Sequence, residues 1–269
     1  MRSGASSITA RSNSRRPEVR LESSAERLAR LRAAVAPFHN YLHNPLPAQR
    51  GVCAVCAGAV EPAYSVCFPC RQHRAAAGDQ LADAIVPIAY AIEGEQHYAD
   101  LVTYKSARSS DLAIGKLKQI TELFIRQHLP CLQRLTGESG PHVAVVPSTR
   151  GRTGPHPVLS LLPVRPEASI ITITSAGRYP ADNRDFAADR FVVTPPAHGW
   201  TSGVLLVDDL WVTGARVQSA AYALKQAGAP SVAAVTVGRR VRESWTPSRP
   251  LLDASRDAQY DPDICRLCQ

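Results

Sequence analysis

Two adjacent carboxylates, Asp208 and Asp209, stand between a short apolar run and a glycine-containing turn. The run 204–207 is valine-rich and too short for a surface helix, so it predicts a buried parallel strand. After the acids the chain turns through Thr213 and Gly214 into an alanine-rich helix pattern. Such a turn offers amide N–H groups and the positive end of the helix dipole to a phosphate. This order of elements predicts a site for a phosphoribosyl ligand.

A second chemical signal comes from the cysteines, six of which form Cys-x-x-Cys pairs: Cys53 with Cys56, Cys67 with Cys70, and Cys265 with Cys268. Two residues between thiolates let both sulfurs reach one ion, and two such pairs complete a tetrahedral zinc shell. The first two pairs therefore predict one structural Zn²⁺ site. Disulfides are the alternative, but a chain without a signal-peptide core is expected to be cytoplasmic, where thiols stay reduced.

The terminal pair, Cys265 and Cys268, supplies only two ligands and needs partners. It could join His73, borrow ligands from the N-terminal module, combine with one of the earlier pairs, or serve a second copy in a homodimer. Cys131 lies between Pro130 and Leu132, in a segment with the pattern of a helix end. That context predicts a small buried hydrophobic side chain.

The elements that position these residues follow from the pattern along all 269 residues. Apolar or β-branched runs predict strands, and Pro87 inside the first of them predicts a place at the sheet edge. Strands and helices alternate, which predicts a parallel sheet. The segment 177–185 is polar and turn-rich, and is either a flap over a ligand or a plain connection. The expected strands are 85–92, 141–147, 169–174, 191–194, 204–207 and 231–237, and the expected helices are 21–36, 111–127, one that ends at Leu162, and 215–227.

Composition narrows the classes of protein. The chain carries 31 basic and 23 acidic residues, a net charge of +8, and no apolar stretch of the length a membrane helix needs. We expect a disordered basic tail over 1–20, a helix and zinc module over 21–75, an α/β domain over 80–245, and a C-terminal tail over 246–269. The basic tail is either a solvated segment or an arm that binds nucleic acid.

The stretch 204–216 resembles the phosphoribosyl-pyrophosphate signature of type I phosphoribosyltransferases, which is a strand, two acids and a Thr-Thr-Gly turn. The resemblance implies that Asp208 and Asp209 hold the ribose hydroxyls. It implies that the following loop holds the 5-phosphate through Val212, Thr213, Gly214, Ala215 and Arg216. Val212 replaces the first threonine and keeps its N–H. Arg216 replaces a hydroxyl residue with a guanidinium that can bind phosphate.

Four features occur in the order seen in the ComF family: the cysteine module, Tyr104 with Lys105, the Val-Val-Pro turn at Pro147, and the paired acids. The resemblance covers about 51–240. The family's Arg-Gly-Phe-Asn segment is replaced here by 154–157. The resemblance implies an α/β fold with a type I phosphoribosyltransferase-like parallel sheet flanked by helices, and a small N-terminal zinc module with four cysteine ligands.

Two functions follow from this resemblance. One is a phosphoribosyltransferase that uses Mg²⁺ and moves the ribosyl phosphate of phosphoribosyl pyrophosphate to an unidentified acceptor. Cations would stabilise the leaving pyrophosphate, and the candidates are Lys105, Arg108, Arg150 and Arg152, although each alone is a common type of surface charge. The other is a non-enzymatic sensor of phosphoribosyl ligands or a DNA-uptake accessory protein that binds single-stranded DNA or a protein partner.

Overall fold

The structure is a computed structural model that describes residues 22–106, 111–148, 156–163, 170–180 and 182–268. The helices are α1 (Ser24–Val35), α2 (Phe68–Ala77), α3 (Gln96–Thr103), α4 (Asp111–Gln127), α5 (Leu129–Thr136), α6 (Ala215–Gln226) and α7 (Arg249–Asp257). The strands are β1 (Ala84–Ile92), β2 (His142–Val145), β3 (Ile170–Ser175), β4 (Phe191–Thr194), β5 (Val204–Trp211) and β6 (Val232–Val241). Single 3₁₀ turns span Ala36–Phe38, Gly78–Gln80, Pro157–Leu161 and Thr246–Ser248.

The six strands form one sheet in the order β1-β6-β5-β2-β3-β4. All neighbouring pairs are parallel except β3 with β4, so the predicted parallel sheet is confirmed for five strands. Pro87 lies on β1 at one edge of the sheet, as the missing N–H of proline requires.

The strand order reverses between β2 and β5. From β2 the chain continues outward to β3, whereas from β5 it crosses through α6 to β6 on the other side. The carboxyl ends of two such strands diverge into a crevice, which is where open α/β sheets bind ligands. Asp208 and Asp209 lie near the carboxyl end of β5, beside this crevice.

Helices cover both faces of the sheet. Alternate strand residues pack against α1, α4 and α5 on one face, with Leu31, Leu117 and Leu132 in the contact. The other alternate residues pack against α6 and against the cysteine module. Helix α1 is joined to α4 by Arg27, whose guanidinium donates two hydrogen bonds, of 2.9 and 2.8 Å, to the buried Glu122 carboxylate. The cysteine module therefore rests on the sheet face that also carries α6.

The structure differs from the sequence prediction at the ends of two central strands. Strand β5 continues through Trp211, so the two acids lie within the strand rather than after it. Strand β6 continues to Val241, so Gly238 and Arg239 also lie inside a strand. Their parallel pairing extends both strands, because Trp211 is in register with Arg239.

Several helices carry no clear sequence signal. Helices α3, α5 and α7 are short, and the helix expected before Leu162 is a 3₁₀ turn that begins at Pro157. Within the described residues, no helix combines the length and apolar character that crossing a membrane requires.

Candidate functional site

The two acids of β5 have different environments. Asp209 is 7% exposed and pairs with the ammonium of Lys105, and its Oδ2 also accepts a 2.9 Å hydrogen bond from the Tyr104 hydroxyl. Asp208 is more exposed, and its Oδ1 accepts a 2.9 Å hydrogen bond from the Asp209 backbone N–H. The residues after α3 therefore orient one carboxylate and leave the other facing the cavity.

These environments separate the two pKa values. Burial raises the pKa of Asp208, and the neighbouring charge of Asp209 raises it further. Burial also opposes ionisation of Asp209, but Lys105 and the hydrogen bond from Tyr104 outweigh it, so the pKa of Asp209 is lowered. The pair thus holds one firmly ionised carboxylate beside one that accepts a proton readily.

The loop after β5 is shaped by a glycine. Gly214 has φ +84° and precedes the first residue of α6, and a Cβ added there would lie 2.0 Å from the Trp211 ring. Trp211 is 1% exposed, and its ring packs under the loop against Gly214. The first turn of a helix leaves N–H groups without intrahelical acceptors. The loop therefore presents a helix N-terminus on a rigid aromatic support.

The acids and the loop line one cavity of about 620 Å³. It brings together predicted site residues from distant segments: Lys105, Asp208, Asp209, Val212, Thr213, Gly214, Ala215 and Arg216. Val146 and Ser148 add the turn after β2, and the N–H of Val146 donates to the Val207 carbonyl at 3.0 Å. The predicted site residues Arg150 and Arg152, and the further candidate Arg108, lie outside the described residues.

The polar segment before β4 forms another wall of this cavity. Asn183 and Arg184 line it, and the Thr213 hydroxyl donates a 3.1 Å hydrogen bond to the Arg184 carbonyl. Arg190 is 1% exposed and donates to the Asp185 carbonyl at 2.7 Å. A hydrogen bond therefore holds the described part of this segment against the loop 212–216.

The predicted zinc ligands Cys53, Cys56, Cys67 and Cys70 come together. Their sulfur atoms lie within 4.8 Å of one another, and all four thiols are free. The Cys56 and Cys67 sulfurs are 3.8 Å apart, which matches the edge of about 3.8 Å in a tetrahedron with Zn–S bonds of about 2.3 Å. The Cys67 N–H donates to the Cys53 sulfur at 3.3 Å. This group could hold a metal ion, and its donor set is that of a structural zinc site.

Arg239 links this cysteine group to the loop 212–216. Its buried guanidinium donates to the carbonyl of Cys56 at 3.2 Å and to the Cys56 sulfur at 3.4 Å. It also donates to the carbonyls of Trp211 and Val212 at 3.4 Å. A Cβ on Gly58 would lie 1.9 Å from this guanidinium, so only glycine leaves room for it. Sequence patterns did not indicate Arg239 as a site residue, because it was expected beyond the end of a strand.

A second group that could hold a metal consists of His128, Cys131, Cys265 and Cys268, with ligand atoms within 4.8 Å of one another. The terminal cysteines thus meet neither His73 nor the N-terminal pairs. Cys131, expected to be a small buried hydrophobic side chain, is half-buried and belongs to this group. The sequence signal for this group is the two-residue spacing between His128 and Cys131, which matches that of the Cys-x-x-Cys pairs.

A second cavity, of about 530 Å³, lies between the cysteine module and the end of β6. It shares Val212, Thr213 and Arg240 with the first cavity. Its walls include three exposed aromatic side chains, Tyr64, Phe68 and Trp245, and the basic residues Arg71, Arg239 and Arg242. The first site is therefore continuous with a basic, aromatic surface that no sequence motif indicated.

Comparison with known proteins finds no matching family model, no significantly similar curated protein and no significantly similar solved structure. A functional assignment therefore depends on the residues and geometry of the two cavities and of the two groups that could hold a metal ion.

Proposed function

We propose that the chain binds phosphoribosyl pyrophosphate, or a related phosphoribosyl nucleotide, in the cavity beside Asp208. The observation that carries the proposal is the meeting of a carboxylate pair and a helix-start loop in one cavity, where the strand order reverses. We further propose that the sheet belongs to a divergent type I phosphoribosyltransferase-like protein of the ComF kind, with an N-terminal zinc module.

The chemistry of the ligand matches the two halves of the cavity. The carboxylates of Asp208 and Asp209 are acceptors for vicinal ribose hydroxyls. The loop 212–216 offers backbone N–H groups and the positive end of the α6 dipole to the 5-phosphate. Arg216 lines the same cavity and adds a guanidinium suited to phosphate. A sugar phosphate is the smallest ligand that uses both halves.

Mg²⁺ would accompany a pyrophosphate ligand. This ion is held by one or two carboxylates together with substrate phosphates. Asp209 already pairs with Lys105, whereas no ion pair to Asp208 occurs within the described residues. Asp208 is therefore the carboxylate that would hold the ion. The ion would supply charge neutralisation on the pyrophosphate oxygens.

Transfer requires breaking the bond from ribose C1 to the pyrophosphate oxygen and forming a bond from C1 to an acceptor. Negative charge then develops on the leaving pyrophosphate. The ammonium of Lys105 is the described cation closest to the acids and lines the cavity. The adjoining aromatic cavity offers a place for the acceptor beside Thr213. Binding and transfer are separate steps and need separate tests.

Binding is tested by calorimetric titration with phosphoribosyl pyrophosphate and Mg²⁺. The double variant Asp208→Asn, Asp209→Asn is expected to weaken binding at least about 100-fold, since hydrogen bonds to charged groups contribute about 1.5–3 kcal/mol each. The matched control is Asp182→Asn, Asp185→Asn, which removes two exposed carboxylates from the neighbouring segment. Equal loss in both double variants, or no binding by the wild type, would refute the assignment.

Transfer is tested by following consumption of phosphoribosyl pyrophosphate with a panel of free bases. An enzyme consumes it with release of pyrophosphate, and Lys105→Met lowers the rate more than it lowers affinity. Tight binding without consumption favours a sensor.

A second candidate function is binding of single-stranded DNA at the aromatic cavity. Exposed rings with neighbouring arginines suit stacked bases and a phosphate backbone. Phe68 is 62% exposed and Tyr64 is 46% exposed with the Arg71 guanidinium 4.6 Å from its ring centre. Fluorescence anisotropy with a labelled oligonucleotide tests this function. Phe68→Ala is expected to weaken binding about 5-fold or more, while Leu112→Ala, an equally exposed apolar residue outside both cavities, leaves it unchanged. No salt-dependent binding would exclude it.

A further inference from the structure

We propose that His128, Cys131, Cys265 and Cys268 form a second structural zinc site, which fastens the C-terminal tail to the junction of α4 and α5. The four side chains come from two short segments far apart in the chain, and the outermost ligands, His128 and Cys268, are separated by 140 positions. Each segment supplies two ligands with two residues between them, the spacing that lets both reach one ion. The proposal is independent of the ligand assigned to the cavity beside Asp208.

The distances suit a shared ion better than a covalent pair. The Cys268 sulfur lies 3.9 Å from Nδ1 of His128 and 3.2 Å from the Cys265 sulfur. A disulfide would require about 2.05 Å. A tetrahedral zinc ion with three sulfurs and one nitrogen has ligand separations of about 3.5–3.8 Å. All three cysteines are free thiols, and all four ligand atoms lie within 4.8 Å of one another.

The histidine has the tautomer that a metal ligand needs. Nε2 of His128 lies 3.0 Å from the Pro262 carbonyl oxygen. Because a carbonyl cannot donate, Nε2 carries the hydrogen, and Nδ1 keeps a lone pair that faces the cysteines. A metal-bound histidine is oriented in this way by a hydrogen bond from its other nitrogen. His128 is 2% exposed, and the Phe124 ring lies 4.7 Å from it, so its position is fixed.

Backbone amides turned toward the sulfurs complete the arrangement. The Cys265 N–H donates to the Cys268 sulfur at 3.2 Å, and the Leu267 N–H donates to the Cys265 sulfur at 3.4 Å. The first cysteine group has the same feature, where the Cys67 N–H donates to Cys53. Such N–H groups stabilise charge on thiolates. Three thiolates and one imidazole favour Zn²⁺ over the oxygen-preferring Mg²⁺ and Ca²⁺.

The site would hold the C-terminal tail in place. On one side of it the Asn44 amide pairs with the backbone of Asp261, and on the other Arg134 donates to the Leu267 carbonyl at 3.1 Å. Arg266 then donates to the Ala54 carbonyl at 3.0 Å, between two ligands of the first group. Fastening the tail thereby supports the N-terminal module as well.

The metal content of the full-length protein tests the proposal. Protein purified without chelator is expected to contain two zinc ions per chain, and X-ray absorption is expected to show seven sulfur ligands and one nitrogen ligand shared between them. Cys265→Ser with Cys268→Ser, and separately His128→Gln, are expected to lower the content to one. His198→Gln, which alters an exposed histidine outside both groups, keeps two.

Folding of each variant is checked by circular dichroism, and hydrogen exchange over 258–268 is expected to rise in the variants that lose one ion. The wild-type X-ray absorption spectrum needs no variant and decides the matter if a substitution prevents folding. One zinc per chain with sulfur ligands alone would overturn the proposal. A disulfide between Cys265 and Cys268 in freshly purified protein would also overturn it.

Discussion

Arg239 contacts both the first cysteine group and the loop that follows the carboxylate pair of β5, yet the cysteine group and the carboxylate pair are built in opposite ways. The cysteines are closed in: Cys53 and Cys56 are 0% exposed, and the sulfurs face one another. The acids open onto a cavity of about 620 Å³. A closed shell without an open position suits a permanent structural ion. An open pair with separated pKa values suits a ligand that enters and leaves. The difference is consistent with the proposed roles, which are stability for the cysteine group and ligand binding for the carboxylate pair.

The largest effect on stability is expected from removing cysteines of the first group. Cys53→Ser with Cys56→Ser removes two of the proposed zinc ligands, and the energy of binding a structural zinc ion would be part of the folding energy of this small module. We expect the melting temperature to fall by about 10 °C or more. Scanning calorimetry with zinc analysis measures both quantities. Phe68→Ala, in the same module but exposed, is expected to change neither. Unaltered melting in the double variant would show that the group is not structural.

Arg239 tests the connection between the two regions. Arg239→Met keeps the bulk of the side chain but removes the donors to Cys56 and Val212. We expect a loss of about 3 kcal/mol or more in unfolding free energy, because several hydrogen bonds from a buried charged donor are removed and each contributes about 1.5–3 kcal/mol. Urea denaturation measures it. Affinity for phosphoribosyl pyrophosphate should fall too, because the loop loses an anchor. The control is Arg242→Met, which changes an exposed neighbour. Equal stability of the two variants would show that Arg239 does not connect the two regions.

A smaller effect is expected at the loop 212–216. Gly214→Ala places a side chain at φ +84° and against Trp211, so we expect a loss of about 2 kcal/mol or more and a large drop in ligand affinity. Gly115→Ala makes the same substitution in α4, where nothing lies within 4 Å of the added carbon. That variant is expected to gain up to about 1 kcal/mol and to bind normally. Denaturation and calorimetry distinguish them, and normal ligand binding by Gly214→Ala would contradict the role given to the loop.

The smallest change in stability is expected at the open carboxylate pair, and it has the opposite sign. The pKa of Asp208 is raised, first by burial and then by Asp209. An acid with a raised folded-state pKa contributes stability below its unfolded pKa and loses it as the pH rises through the folded value. Asp208→Asn removes this loss, so we expect it to melt a few degrees above the wild type at about pH 7.5 and with less difference near pH 4. A variant less stable at both pH values would contradict the assigned electrostatics.

The same two regions differ in how far their residues could be predicted from the sequence. The acids, the turn and α6 are consecutive in the chain, so the loop 212–216 was predictable from local pattern, whereas the packing of Trp211 under it appears only in the structure. The first cysteine group was predictable because its two pairs lie close together. By contrast, the contact of Tyr104 and Lys105 with Asp209 depends on how α3 packs beside the sheet.

The group of His128, Cys131, Cys265 and Cys268 was harder still to predict from the sequence. Its two halves have the right internal spacing, but nothing in the sequence between residues 131 and 265 indicates that they meet. Arg239 was misplaced for a related reason: the length of β6 is set by pairing with β5 and not by its own residues. Contacts that join distant segments are therefore the part of the site that sequence patterns did not supply.

The central claim is that one ligand uses the acids for its ribose hydroxyls and the loop for its phosphate. The most direct measurement is calorimetry of the wild-type protein with ribose 5-phosphate and with 2-deoxyribose 5-phosphate, which differ only in one hydroxyl. We predict binding of the first and at least about 10-fold weaker binding of the second, because a site built to hydrogen-bond a hydroxyl rejects the ligand that lacks it. Equal affinities, or no binding of either compound, would contradict the account.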